Sequence, residues 1–231
     1  MLPRKFPPFP DRTEFDIFAT MNPAKEVGGD FYDFFFIDKD HLALVIADVS
    51  GKGVPAALFM VIAKTLIKTR TLAGDTPSEI LHDVNNQLCE GNEEEFFVTV
   101  WLSVIDVTTG KGIAANAGHE HPILRHKGED YTPAIYKHNV PLGMMSDLKF
   151  DEHNFELLPG DSLFVYTDGV TEAENKEHEL FGMERTVMAL NKNKSDNPEE
   201  IIGTVKDEIK SFVNDADQFD DITMISFFYK G

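Results

Sequence analysis

Two periods of apolar and polar residues run through this chain, one of two residues and one near 3.6, and they divide it into strands and helices. From Glu14 to Met21 the residues Phe15, Ile17, Ala19 and Met21 alternate with polar neighbours, as in a strand with one buried face. From Gly28 to Ile37 the aromatic run Phe31, Tyr32, Phe34, Phe35 and Phe36 predicts a second strand, with Asp30 and Asp33 as exceptions within it. His41 to Ala47 is a third, nearly all apolar, ending at Asp48 and then turning through Gly51 and Gly53. Pro55 to about Leu72 predicts a helix too apolar in its first turns to face water, hence one packed between layers. Thr76, Pro77 and Glu79 form a capping box for a helix from Pro77 to Glu90, with Ile80, Val84 and Leu88 on one face.

Phe96 to Asp106 is again strand-like, and Thr109-Gly110 turns into a short strand pair around Gly112 to Arg125. Leu157 to Asp161 is a turn, and Ser162 to Thr167 is an apolar strand running into Asp168-Gly169, which repeats the design at Asp48. Helices are expected from Phe181 to Lys192 and from Glu199 to Val213. The second has Asn197 as N-cap, Pro198 behind it, Glu200 at the capping-box position and a stripe of Ile201, Val205, Ile209 and Val213. A last strand, Ile222 to Tyr229, starts behind the pair Asp220-Asp221. Residues 1–13, rich in proline, form an extended lead-in or linker, and 14–231 form the domain proper.

A carboxylate is costly to bury at the end of an apolar strand unless a cation or several donors meet it. Asp30, Asp48, Asp168 and the Asp220-Asp221 pair all occupy such places. Oxygen donors with no Cys or His beside them suit hard cations such as Mg²⁺ or Mn²⁺ rather than Zn²⁺. The competing reading is that turns favour Asp for conformational reasons alone.

Composition narrows the partners. Of the 231 residues 42% are apolar, with 19 Phe, enough to fill a sizeable core. Lys and Arg number 21 against 40 Asp and Glu, a formal charge of -19, which argues against nucleic acid or anionic lipid as a partner through a broad basic surface. Most of those acids are expected to be a solvated surface. The single cysteine, Cys89, rules out an internal disulfide and fits a reducing, cytoplasmic compartment. No apolar run approaches the roughly 18 residues of a membrane helix. The lead-in reads as a junction, so the chain is expected to be the catalytic end of a longer protein, with any membrane segment outside it.

Further motifs give these acids a context. Gly28-Gly29-Asp30-Phe31-Tyr32-Asp33, Ala47-Asp48-Val49-Ser50-Gly51-Lys52-Gly53-Val54-Pro55-Ala56-Ala57 and Asn116-Ala117-Gly118-His119 follow one another. Then come Pro141-Leu142-Gly143, Gly160-Asp161, Tyr166-Thr167-Asp168-Gly169-Val170-Thr171-Glu172-Ala173, Phe181-Gly182 and Asp220-Asp221-Ile222-Thr223. In content and order these blocks resemble the metal-dependent type 2C serine/threonine phosphatases, in their bacterial SpoIIE/RsbU-like branch. The resemblance implies an α+β fold of two packed antiparallel β-sheets flanked by helices, with two Mn²⁺ or Mg²⁺ ions in a cleft. It implies that Asp48 bridges both ions, that Asp168 and Asp220 hold the first, and that the Val49 carbonyl serves the second. Asp30 would support that second ion directly or through water. Asp221 stands where the wider family often has Asn and would lie behind the ligands, although the two adjacent acids could exchange roles.

The implied reaction is hydrolysis of a phosphoserine or phosphothreonine on a bacterial regulatory protein, such as an anti-sigma-factor antagonist, by a metal-activated water. Ser50 replaces a histidine that often serves as general acid in the wider family, which leaves Lys52, a metal-bound water or no group in that role. Neither Arg4 nor Arg12 matches the phosphate-binding arginine of eukaryotic members. An upstream sensor or regulatory domain would act through the two helices after Asp48; the oligomeric state is open, a homodimer included. A catalytically weak phosphatase-like binding module is the main alternative. A Gly-Gly-Asp-Glu-Phe nucleotide cyclase fails at Phe31, where its second acid should stand. His119-Glu120-His121 lacks a third ligand for a metal site, Ser50 to Gly53 lacks P-loop spacing, and the aromatic run after Asp30 suits a core better than a stacking platform.

Overall fold

The structure, a computed structural model, describes residues 2–231, and it divides into two compact units. The first unit comprises mainly 25–119 and 136–156. Its sheet holds β2 (Phe31–Phe36), β3 (His41–Val49), β4 (Val98–Asp106), β5 (Lys111–Ala117) and β8 (Glu152–Glu156), antiparallel and in that spatial order. Helices α1 (Val54–Leu72) and α2 (Pro77–Cys89) pack on each other and on this sheet. The core gathers Phe31, Val45, Val49, Ile67, Ile80, Leu81, Val84 and Val100, all buried. Helix α2 starts as expected, its Thr76 N–H donating to Glu79 Oε2 at 3.0 Å in a capping box.

Helix α1 departs from the expectation that it is enclosed. Its inner stripe is only Ala56, Ala63, Ile67 and Thr71, while Leu58, Val61 and Ile62 are each more than half exposed. The helix is apolar on more sides than one sheet can cover. Its sheet-facing side also carries charge: Lys64 and Lys68 both reach Asp33, which is buried in β2, the second at 3.3 Å. Burial pushes the Lys64 ammonium below its ordinary value, against the opposing pull of Asp33.

The second unit comprises 3–24, 120–135 and 157–231. Its sheet runs β1 (Phe15–Asn22), β10 (Ile222–Tyr229), β9 (Ser162–Tyr166), β6 (Ile123–Arg125) and β7 (Thr132–Pro133), again antiparallel. Helix α4 (Pro198–Val213) packs on β1, β10 and α3 (Gly182–Lys192). The proline-rich lead-in folds onto β1, with Phe6 4.6 Å from Phe18 and Phe9 6.1 Å from Phe15 between ring centroids. Asn197 caps α4 by accepting from the Glu199 N–H at 2.9 Å. Glu200 does not close a capping box; its Oε2 accepts from the Ser195 hydroxyl at 2.6 Å, and that hydroxyl oxygen accepts the Asn197 N–H.

Two further differences concern strands. The predicted pair within Gly112 to Arg125 does not exist as a pair, because β5 bonds β4 and β8 whereas β6 bonds β7 and β9. The chain leaves β5 at Gly118, whose positive φ of 69° ends the strand. β7 and β8 escape sequence reading because the first is two residues long and the second is a mostly polar edge strand. Among the described residues no helix is long and apolar enough to cross a membrane.

Candidate functional site

In the first unit the antiparallel register ends with Phe31 paired to Ala47, which brings Asp30 and Asp48, each one residue beyond that pair, to the same sheet end. Asp30 is buried and Asp48 half-buried, the latter near the end of a strand that is apolar from Leu42 to Ala47. Gly29 then lies beside Val49. A Cβ at position 29 would stand 2.8 Å from the Val49 carbonyl oxygen, so only glycine leaves that oxygen clear. Two carboxylates and an unobstructed carbonyl at one sheet end form the all-oxygen donor set a hard cation takes.

The turn that follows is held from outside. Ser50 N–H donates to Phe97 O, and Ser50 Oγ accepts the Phe97 N–H, both at 2.9 Å. The Ser50 hydroxyl is therefore a structural clasp on the start of β4. Gly51 and Gly53 take φ of 82° and 88°, and the Gly53 carbonyl accepts the Ala57 N–H in the first helical bond of α1. Lys52, half-buried, sits between them.

The Asn116-to-His119 block supports the same strand end. Asn116 accepts the His119 N–H at 2.8 Å and donates to the His119 carbonyl at 3.0 Å, closing the Gly118 turn. His119, buried, meets the Thr99 hydroxyl through Nδ1 at 2.9 Å, and Thr99 is the strand partner of Asp48. Pro141 closes over Gly118, Leu142 exchanges backbone bonds with Val98, and Gly143 packs on the Phe96 carbonyl. These blocks fix the 96–99 segment that clasps Ser50. His121 belongs with Glu120 to the second unit, where burial, reinforced by Glu120, drives the Tyr166 hydroxyl well above its ordinary range.

In the second unit Asp168 follows β9 and opens a single 3-10 turn, Asp168–Val170. Its carbonyl accepts the Glu172 N–H at 2.7 Å and the Thr171 hydroxyl at 3.1 Å. Thr167 is locked to Thr223 on β10, donating its N–H to the Thr223 carbonyl at 3.0 Å and accepting the Thr223 N–H on Oγ1 at 3.1 Å. A Cβ on Gly169 would fall 1.9 Å from the Asp221 carbonyl oxygen, so the backbones of the two acidic segments approach as only glycine allows. Asp168 and Asp220-Asp221 thus share one strand end. Asp220 Oδ1 accepts the Asp221 N–H at 2.9 Å, and Asp221, buried, turns its own Oδ1 to the Ala24 N–H at 2.8 Å.

Gly160-Asp161 is a staple: the buried Asp161 carboxylate accepts the Lys127 and Leu158 amides and faces His126 Nδ1. Arg12 pairs with Glu14 at 2.9 Å. Among the described residues no group of three or more His, Cys, Asp or Glu forms a ready-made metal cage. The fit to a cation therefore rests on the donor chemistry at each strand end. Sequence reading missed Gln218, whose amide donates to both the Asn22 and Asp220 carbonyls. Its only signal is a side chain with two donors placed two residues before the acid pair.

Comparison with known proteins gives this geometry its family. The family Stage II sporulation protein E matches residues 38–229. Protein IcfG of Synechocystis sp. is 34% identical over 248 residues, covering 94% of this chain and 38% of IcfG. The phosphoserine phosphatase RsbU of Bacillus subtilis is 29% identical, covering 72% of this chain and 50% of RsbU. The chain thus spans half or less of the length of these relatives. Among solved structures, the PP2C phosphatase domain of SpoIIE from Bacillus subtilis superposes with a TM-score of 0.82 at 19% identity, over 94% of this chain and 63% of that one. The matched family and the two antiparallel sheets agree: this chain is a member of the SpoIIE family and has the fold of the PP2C phosphatase domain.

Proposed function

We propose that the chain removes phosphate from phosphoserine or phosphothreonine on a regulatory protein, with Asp30, Asp48, the Val49 carbonyl, Asp168 and Asp220 holding two Mg²⁺ or Mn²⁺ ions and Asp221 supporting them. The observation that carries the reading is that Asp30 and Asp48 each stand one residue beyond the Phe31–Ala47 pair, beside a Val49 carbonyl that Gly29 keeps clear. Bound divalent ions would supply a water of lowered pKa and neutralise the phosphoryl oxygens. The protein's own work is positional. The Thr167-Thr223 lock and the Ser50-Phe97 clasp hold the carboxylates at their strand ends without using them. Lys52 is the candidate proton donor to the departing oxygen, since a serine, Ser50, stands in the place of the family's histidine and Lys52 is the charged group of the same turn.

The partner is a phosphorylated regulator of the anti-sigma-factor-antagonist kind, in the cytoplasm. The length of the relatives beyond the matched region favours an attached sensor or regulatory segment. The test is hydrolysis of a small aryl phosphate, then of phosphoserine and phosphothreonine peptides, with Mn²⁺, Mg²⁺ or EDTA. Activity is expected only with metal, and Asp48→Asn and Asp168→Asn each lower it at least about 100-fold with the fold intact. Full turnover in EDTA overturns the reading.

A further inference from the structure

In the second unit one side-chain amide joins the end of a strand to a proposed metal ligand. Gln218 Nε2 lies 2.8 Å from the Asn22 carbonyl oxygen and 2.7 Å from the Asp220 carbonyl oxygen. A primary amide has two N–H groups, one for each acceptor. Asn22 is the last residue of β1 and pairs with Ile222, so the brace ties the chain just before β10 to its neighbouring strand. Two other contacts converge on the same corner: Lys206 Nζ donates to Asn22 Oδ1 at 3.2 Å, and Ala24 N–H donates to Asp221 Oδ1 at 2.8 Å. Gln218 is the one of these that takes hold of Asp220 itself.

The approach to Asp220 has little apolar burial to fix it. Residues 214, 215, 217, 218 and 219 are exposed, and Phe219 keeps 69% of its surface in solvent. Asn214 has a positive φ of 54°, so the chain leaves α4 abruptly before it reaches the acid pair. Asp220 Oδ1 accepts the N–H of its own neighbour, so the direction of the carboxylate follows the local backbone. That backbone is what the Gln218 amide grips. Glutamate would lack both donors and add a charge beside two acids, and asparagine is one methylene too short to serve both carbonyls.

We propose that Gln218 is a positioning residue for Asp220, setting the affinity of the site for its divalent cation through the backbone of the ligand segment. The proposal rests on the assignment of Asp220 as a metal ligand. Its test is calorimetric titration of Mn²⁺ into the metal-free chain, for wild type, Gln218→Met, which keeps length without donors, and Gln218→Glu. Thermal unfolding without metal and aryl phosphate turnover across Mn²⁺ concentrations accompany it.

The expected result is Mn²⁺ affinity about 10-fold weaker in Gln218→Met and at least as weak in Gln218→Glu. The metal-free unfolding midpoint should stay near that of wild type, and kcat of Gln218→Met should recover at saturating Mn²⁺. Wild-type Mn²⁺ affinity in Gln218→Met overturns the proposal alone, as does a lowered unfolding midpoint with unchanged affinity. A wild-type chain that binds no Mn²⁺ overturns the metal assignment and the brace with it.

Discussion

Glycine at two positions holds the acids where they are, and each makes a separable claim. At Gly169 an added Cβ would meet the Asp221 carbonyl at 1.9 Å, a distance that only backbone movement can relieve. Gly169→Ala is therefore expected to cost about 1–3 kcal/mol, the usual range for overpacking, read from urea unfolding. At Gly29 the clash with the Val49 carbonyl is 2.8 Å and falls on a proposed ligand, so Gly29→Ala should weaken Mn²⁺ binding about 10-fold while shifting stability less. Equal Mn²⁺ affinity in Gly29→Ala and wild type would place the Val49 carbonyl outside the metal site. Asp106, remote in sequence from these acids, gives a pH signature. The Thr108 hydroxyl, with the Thr108 and Thr109 amides, holds its carboxyl below the ordinary 3.8. A lowered folded value contributes stability above pH 3.8 that is lost as pH falls through the folded value. Asp106→Asn should therefore be less stable than wild type at neutral pH, with the gap closing on acidification below that value; a pH-independent gap in urea midpoints would refute this.

Helix α1 is the element through which a bias on the proposed site is expected to act. Its first turn follows the Ser50 to Gly53 turn, and Lys64 and Lys68 anchor it to Asp33 on β2, three residues after Asp30. A shift of the helix as a body is thus conveyed to the Asp30-Asp48 end along two connections. Lys64→Met should leave the buried Asp33 with Lys68 and the Phe34 N–H. The loss is below the roughly 3–5 kcal/mol of a wholly buried broken pair, because Lys68 remains. If the helix biases the site, that variant changes Mn²⁺ affinity and turnover together; profiles matching wild type would count against such control.

The elements also show where sequence reading succeeds and stops. β3 and β9 are legible because an apolar run leads to an acid, β10 because a largely apolar run follows one, and α2 because Thr76, Pro77 and Glu79 mark its start. The outward side of α1 is not legible: periodicity reports that a helix is apolar, not how much of it a sheet can cover. The separate sheets of β5 and β6 follow from pairings remote in sequence, which the turn at Gly118 alone does not reveal. The site divides the same way. Asp30, Asp48, Asp168 and Asp220 stand out against apolar neighbours, whereas Gln218 and the Ser50-Phe97 clasp act through backbone atoms and carry no pattern.

At the scale of the whole molecule the charge of -19 makes the acids a liability that a bound cation would relieve. Like-charged carboxylates near one another raise the free energy of the metal-free fold, so removing one charge offsets what is lost in hydrogen bonding. Asp48→Asn and Asp168→Asn are therefore expected to unfold without metal at temperatures equal to or above that of wild type. Added Mn²⁺ reverses the order: at 100 times its dissociation constant a ligand that binds only the native state stabilises it by about 2.7 kcal/mol, and the variants, having lost a ligand, should gain much less. Scanning calorimetry of the three proteins with and without Mn²⁺ measures both halves of this argument. If each Asp→Asn variant loses several degrees in the metal-free state, the acids are structural partners of the fold, and cation binding is not what places them at the ends of apolar strands.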